Sequence, residues 1–202
     1  MERVKKLRLL NKVISKKSWV KIMALKIGEK APDFKLRGID GESQSLYLDQ
    51  QGKRAICIVF TCNHCPYAKA YEDRLIYIAQ QYNLQKVQFI LINSNDSSSY
   101  PEDSFSEMKI RAKKKKYLFP YIRDETQDVA KKYGAEVTPD CFLLNKDFVL
   151  VYRGRIDDNW QYPERVKDKS LMNAISNILS GTPIPLEESE KKAMGCSIKW
   201  KW

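Results

Sequence analysis

Two cysteines separated by two residues stand in Phe60-Thr61-Cys62-Asn63-His64-Cys65-Pro66-Tyr67, a spacing that suits chemistry needing two sulfurs within reach of each other. Thiol–disulfide exchange requires one sulfur to attack as thiolate and a second to close the ring. A Cys-x-x-Cys at a helix start supplies both, because unpaired N–H groups and the positive end of the helix dipole favour a thiolate there. On this reading Cys62, the outer residue, attacks, and Cys65, one turn inward, resolves. His64 precedes the second cysteine. An imidazole there would steady a thiolate and make the pair more oxidising; the alternative is a solvent-facing linker residue with no electrostatic role. Thr138-Pro139 is the second element. A proline that opens a strand pairing beside such a helix is expected to be cis and to present backbone to an extended substrate peptide, an expectation that depends on the fold.

The other three of the five cysteines read differently. Cys57 lies inside an apolar run and is expected to be inert core. Cys141, two residues past Pro139, is expected in the core, with a position facing the active site as the alternative. Cys196 stands near Ile198, Trp200 and Trp202, after an acidic, Pro-broken stretch from Thr182 to Glu190 with the composition of a linker. It is a candidate additional redox thiol that linker flexibility would bring to the pair; otherwise the tryptophans pin the tail and the thiol is incidental. Cys-x-x-Cys is also half of a zinc knuckle, which Cys141 or Cys196 could complete. However, there is no second Cys-x-x-Cys, and the single histidine, His64, sits inside the first. A copper chaperone would need a histidine remote from the pair, and c-type haem attachment a histidine directly after the second cysteine, where Pro66 stands. Neither metal nor cofactor is expected.

These residues need elements to position them. Ala55-Ile56-Cys57-Ile58-Val59-Phe60 is a continuous apolar run, the pattern of a central strand covered on both faces. From Pro66 to Tyr82, Tyr67, Tyr71, Leu75, Ile78, Ala79 and Tyr82 fall at helical spacing, and Val87 to Ile92 is a second buried strand. Strand, helix, strand predicts a right-handed crossover and a parallel pair. Upstream, Ala31 to Leu36 and Ser45 to Leu48 alternate about Asp40-Gly41 and predict a hairpin. Downstream, Asn93 to Tyr100 is a polar loop, a helix is predicted from Pro101 to about Lys116, and a shorter one from Gln127 to Tyr133 stopping at Gly134. Cys141 to Leu144 and Phe148 to Tyr152 predict a second hairpin about Asn145-Lys146-Asp147. A last helix runs from near Asp168 to Ser180.

At 202 residues one domain is the default, and no apolar run approaches the roughly 18 residues of a membrane helix. The formal charge is uneven: residues 1–22 hold eight basic side chains against Glu2, a net +7 of the chain's +11, leaving +4 for the rest. No nucleic-acid partner is therefore expected. The basic leader lacks the continuous apolar core of a secretory signal. It reads as a solvated tail, an upstream start ahead of Met23, or an amphipathic organelle presequence; a cytoplasmic location is otherwise expected. Five irregularly spaced cysteines are too few for a secreted disulfide framework. The expected organisation is a basic extension over 1–22, a domain over 23–184 and a tail over 185–202 that carries Cys196.

Ile27 to Phe34 (Ile-Gly-Glu-Lys-Ala-Pro-Asp-Phe), the Cys62–Cys65 motif and Thr138-Pro139-Asp140 resemble the redoxin branch of the thioredoxin superfamily, which includes AhpC/TSA, peroxiredoxin-like and thioredoxin-like proteins. Asn93-Ser94-Asn95-Asp96, Gly154 to Asn159 and Gly195 to Trp200 resemble an uncharacterised group within it. The resemblance spans about residue 25 to the C-terminus. It implies an α/β, thioredoxin-like fold, a central mixed sheet flanked by helices with an N-terminal β-hairpin, and a thiol–disulfide oxidoreductase that exchanges with protein or small-molecule disulfides or an upstream reductase; oligomeric state is left open. Peroxiredoxins carry Pro-x-x-x-Thr/Ser-x-x-Cys. Counting back from Cys65 those positions are Ile58 and Cys62, and from Cys62 they are Ala55 and Val59, so neither cysteine sits in a peroxidatic motif. Thioredoxins place Trp before the first cysteine, where this chain has Thr61.

Overall fold

A computed structural model describes residues 24–201; the basic segment 1–22, with its tail, start-site and presequence readings, lies outside them. Strands β1 (Lys35–Gly38) and β2 (Ser43–Ser45) form the first hairpin, antiparallel from Lys35↔Ser45 to Arg37↔Ser43. It is shorter than the alternation predicts. Leu46–Asp49 is a helical turn (α1) capped by the Ser45 hydroxyl, and Asp49 accepts in return from the Ser45 N–H at 2.5 Å. This reciprocal capping wins over two residues of strand alternation. On the other arm, the Asp33 carboxylate accepts from the Phe34 and Tyr47 N–H groups, and the Ala31 N–H donates to the Phe148 carbonyl at 2.8 Å, so Ala31 to Phe34 does not extend the β1–β2 ladder.

The central unit follows the sequence. Strand β3 (Ala55–Phe60) is fully buried, helix α2 spans Pro66–Tyr82, and β4 (Val87–Asn93) lies parallel to β3 from Ala55↔Val87 to Phe60↔Ile92. Alternate β3 side chains face two cores. Ala55, Cys57 and Val59 pack with Tyr71, Leu75 and Ile78 of α2, while Ile56, Ile58 and Phe60 pack with Phe34, Leu46 and Tyr133 on the other face. Burying each large aliphatic or aromatic side chain contributes about 1.5–3 kcal/mol, so β3 ties both layers together.

The helix predicted from Pro101 is broken. Pro101–Asp103 forms a single 3₁₀ turn, Ser104 is extended, and α3 (Phe105–Lys115) starts afresh with the Ser104 hydroxyl accepting from the Glu107 N–H. The break turns Asp103 inward. Next come β5 (Tyr121–Arg123), α4 (Asp128–Tyr133, ended by Gly134), β6 (Val137–Thr138), β7 (Asp140–Asn145), β8 (Leu150–Gly154) and α5 (Ser170–Ser180). The second hairpin, β7–β8, is antiparallel, and the Asn145 carboxamide oxygen accepts from the Asp147 and Val149 N–H groups in its turn.

The stretch read as a linker is structured. Leu186–Ser189 is a helical turn (α6), Glu190–Lys191 (β9) pairs parallel with β8, and Cys196–Ser197 (β10) pairs antiparallel with β6. The physical reason lies in two close approaches. At Gly154, with φ of +129°, an added Cβ would lie 1.5 Å from the Lys191 carbonyl oxygen, and at Gly195 it would lie 2.2 Å from that of Thr138. Only glycine lets the segment seat this closely. Among the described residues the main sheet runs β2-β1-β5-β4-β3-β7-β8-β9, with β10-β6 beside it. No helix among them is long and apolar enough to cross a membrane.

Candidate active site

The end of β3 delivers Thr61 to Cys65 to the start of α2. Thr61 closes the strand through its N–H to the Ile92 carbonyl at 2.8 Å, and Cys65 is the N-cap of α2 with Pro66 first in the helix. Cys62 and Cys65 are thus held at a helix start, as expected. Opposite them the Thr138–Pro139 peptide bond is cis. The Cys62 sulfur lies 3.2 Å from the Thr138 hydroxyl, and the Cys65 thiol donates to the Thr138 carbonyl at 3.2 Å.

The two sulfurs interact electrostatically: each feels the other, which favours a thiolate at Cys65 and holds the proton at Cys62. The Ala68 N–H at the helix start also favours a Cys65 thiolate, while burial and the Asp103 carboxylate further hold the proton at Cys62. The helix therefore acts on its own N-cap residue, which is Cys65. The interaction of the two sulfurs eases the pair's first ionisation and the second proton is retained, a property of the pair rather than of either sulfur. Exposure points the other way: Cys62 is 3% exposed and Cys65 0%. Of the pair, Cys62 is the sulfur that an incoming group can meet.

His64 is neither a free linker residue nor a lone imidazole. Its Nδ1 lies 2.5 Å from Asp103 Oδ2, and its ring stacks on Tyr100 at 4.8 Å. Asp103 is fully buried. Its Oδ1 accepts from the Asn63 N–H at 2.6 Å and Asn93 Nδ2 at 3.1 Å, and its Oδ2 from Asn95 Nδ2 at 2.9 Å as well as from His64. Four donors fix one carboxylate, and through it the loop between the two cysteines. Sequence reasoning missed Asp103, Asn63, Asn93 and Asn95 as parts of the site. The polar run Asn93 to Asp96 was the available signal, since consecutive Asn and Asp side chains directly after a buried strand need partners.

Cys57 and Cys141 are buried core residues packed in the layer with Tyr71, Leu75 and Ile78 of α2. Cys141 therefore neither faces the pair nor could complete a zinc site there. Cys62, His64 and Asp103 do bring one ligand atom each within 4.8 Å of one another, yet both Asp103 oxygens are already engaged by N–H donors. Cys196 does reach the pair. Its strand places it in register with Thr138, and its side chain packs against Cys62 and Cys65.

The sheet order, the cysteine pair at the start of α2 and the facing cis-proline strand define a thioredoxin-like protein. In agreement, the thioredoxin domain of a thiol-disulfide oxidoreductase from Bacteroides vulgatus, 16% identical, superposes over 77% of this chain and 99% of its own with a TM-score of 0.60, which bears on the fold alone. A model of the AhpC/TSA family matches residues 27–158. An uncharacterized conserved protein from Geobacillus kaustophilus is 40% identical over 88% of this chain and 93% of its own, with a TM-score of 0.80. A hypothetical protein from Sinorhizobium meliloti 1021 is 32% identical over 89% and 97%, also with a TM-score of 0.80. Comparison with curated proteins gives no match. This chain belongs to the AhpC/TSA family, in the redoxin branch of the thioredoxin superfamily.

Proposed function

We propose that the chain is a thiol–disulfide oxidoreductase in which Cys62 attacks a client or small-molecule disulfide and Cys65 resolves the mixed disulfide. The observation that carries this is the placement of the two sulfurs at the start of α2, with Thr138 reaching both. Starting from a Cys62 thiol and a Cys65 thiolate, the proton crosses to Cys65 as Cys62 attacks. The substrate's leaving thiolate departs with the proton from Cys65, and the Cys65 thiolate then displaces the second substrate sulfur, which leaves as thiolate. The substrate gains two electrons, and the Cys62–Cys65 disulfide is returned to dithiol by an upstream reductase. His64, anchored on Asp103, positions the loop that carries Cys62.

A Cys65→Ser variant is expected to accumulate mixed disulfides through Cys62, read on non-reducing gels after incubation with oxidised protein substrates. Cys62→Ser should trap none. Equal trapping by both variants would reverse the assignment of the attacking sulfur. A peroxidase reading draws support from the family match, but the position three residues before Cys62, where a peroxidatic motif carries Thr or Ser, is Val59, buried in β3. Turnover of hydrogen peroxide is accordingly expected to be slow beside disulfide exchange.

A further inference from the structure

The backbone edge beside the cis-proline, expected from sequence to receive a client peptide, is already occupied by the protein's own segment. β10 pairs antiparallel with β6 in the register Cys196↔Thr138 and Ser197↔Val137, the way an added substrate strand would pair. A flexible tether does not achieve this. The Ile198 N–H donates to the Glu136 carbonyl at 2.9 Å, the Lys199 N–H to Asn95 Oδ1 at 2.9 Å, the Asp96 N–H to the Lys199 carbonyl at 2.8 Å, and Gln127 Nε2 to the same carbonyl at 2.8 Å. Gly195 lies flat on Thr138. A cysteine therefore stands where a client's cysteine would stand.

Three thiols form one cluster. Cys62, Cys65 and Ala68 pack together with Cys196 against them, and Thr138 meets all three cysteines, through its hydroxyl at Cys62, its carbonyl at Cys65 and its backbone register with Cys196. Cys65 is fully buried, whereas Cys196 is half-buried and meets solvent.

We infer that Cys196 is a third redox thiol which takes the disulfide from Cys62–Cys65 onto Cys65–Cys196. This rests on the dithiol reading above. In the step, the Cys196 sulfur bonds to Cys65, the Cys65–Cys62 bond breaks, and Cys62 leaves as thiolate and receives the proton that Cys196 gives up. No net oxidation occurs in the transfer: one disulfide replaces another, and Cys62 is reduced as Cys196 is oxidised. The exchange frees Cys62 for the incoming face and offers the reductant a partly exposed sulfur at Cys196. Input and output of electrons then use different sulfurs of one site.

The test is stepwise oxidation of the full chain with oxidised glutathione, followed by alkylation and disulfide mapping by mass spectrometry. In the singly oxidised wild type both Cys62–Cys65 and Cys65–Cys196 linkages are expected, with part of Cys62 alkylatable. Cys62→Ser should still close Cys65–Cys196 within one chain, and Cys196→Ser should close Cys62–Cys65 only. If Cys196→Ser closes Cys62–Cys65 while neither wild type nor Cys62→Ser yields a Cys65–Cys196 bond, the relay is wrong and the dithiol reading stands. If Cys62–Cys65 fails to form even in Cys196→Ser, the dithiol reading itself falls. Circular dichroism of both variants checks that each retains the fold.

Discussion

Thr138 meets the redox sulfurs through three separate groups: its hydroxyl faces Cys62, its carbonyl accepts from Cys65, and its backbone pairs with Cys196. Across Pro139, Asp140 is a different kind of residue. Burial raises its carboxyl to about 7 against the opposing pull of Arg153, and its Oδ1 has no hydrogen-bond partner. The folded protein thus keeps a proton that the unfolded chain gives up near pH ~3.9. Stability from this group is full below that value and is lost as pH rises through about 7. Three units at about 1.36 kcal/mol each set an upper bound of about 4 kcal/mol. Asp140→Asn is expected to flatten the stability–pH curve across this window and to raise the urea midpoint on its alkaline side. An unchanged pH slope would mean that Asp140 is ionised throughout, paired with Arg153.

Among the elements, the polar loop after β4 and the single turn before α3 do more than connect. They supply Asn95 and Asp103, which together with Asn93 at the end of β4 hold the Cys62–Cys65 loop from beneath. Asp103→Ala takes the acceptor from the Asn63 N–H, Asn95 Nδ2 and His64 Nδ1, while Asn93 Nδ2 keeps the Tyr121 hydroxyl, and a loss of about 3 kcal/mol or more is expected. Denaturant unfolding measures it, and the rate of exchange with oxidised glutathione should drop in the same variant. A loss within ~0.5 kcal/mol would be that of an ordinary surface substitution and would remove Asp103 from its positioning role. The apolar runs made β3, α2 and β4 legible in the sequence, because periodicity reports which faces are buried. Asp103 was hidden because an acidic residue two places after a proline looks like an ordinary helix first turn. β9 and β10 were hidden because two residues each are too short for any alternation to register. The segment holding them is placed by hydrogen bonds to residues far away in the chain, which local pattern does not record.

At the scale of the whole molecule, residues 190–201 act as a strap over one end of the sheet. Lys191 lies on Gly154, Cys196 and Ser197 on β6, Ile198 is buried in the second core, and Lys201 donates its N–H to Gln127 Oε1 at 2.8 Å. Gly154→Ala puts a methyl carbon where the Lys191 carbonyl oxygen lies and forces a left-handed φ on a residue with a side chain. The strap is expected to lift from β8. Faster amide exchange over 190–197 and an increase in Cys196 alkylation rate measure this, with β3 and β4 protection unchanged; protection of 190–197 equal to wild type would show that the strap does not depend on this approach.

The strap's backbone partners lie about 35 or more residues upstream, so it is held by the folded chain and not by its own neighbours. β10 is the strand paired with β6 among the described residues, and an edge strand without a partner is a template for pairing with another chain. The strap therefore also guards against edge-to-edge association: the segment that brings a third sulfur to the site closes an edge that would otherwise pair with another copy.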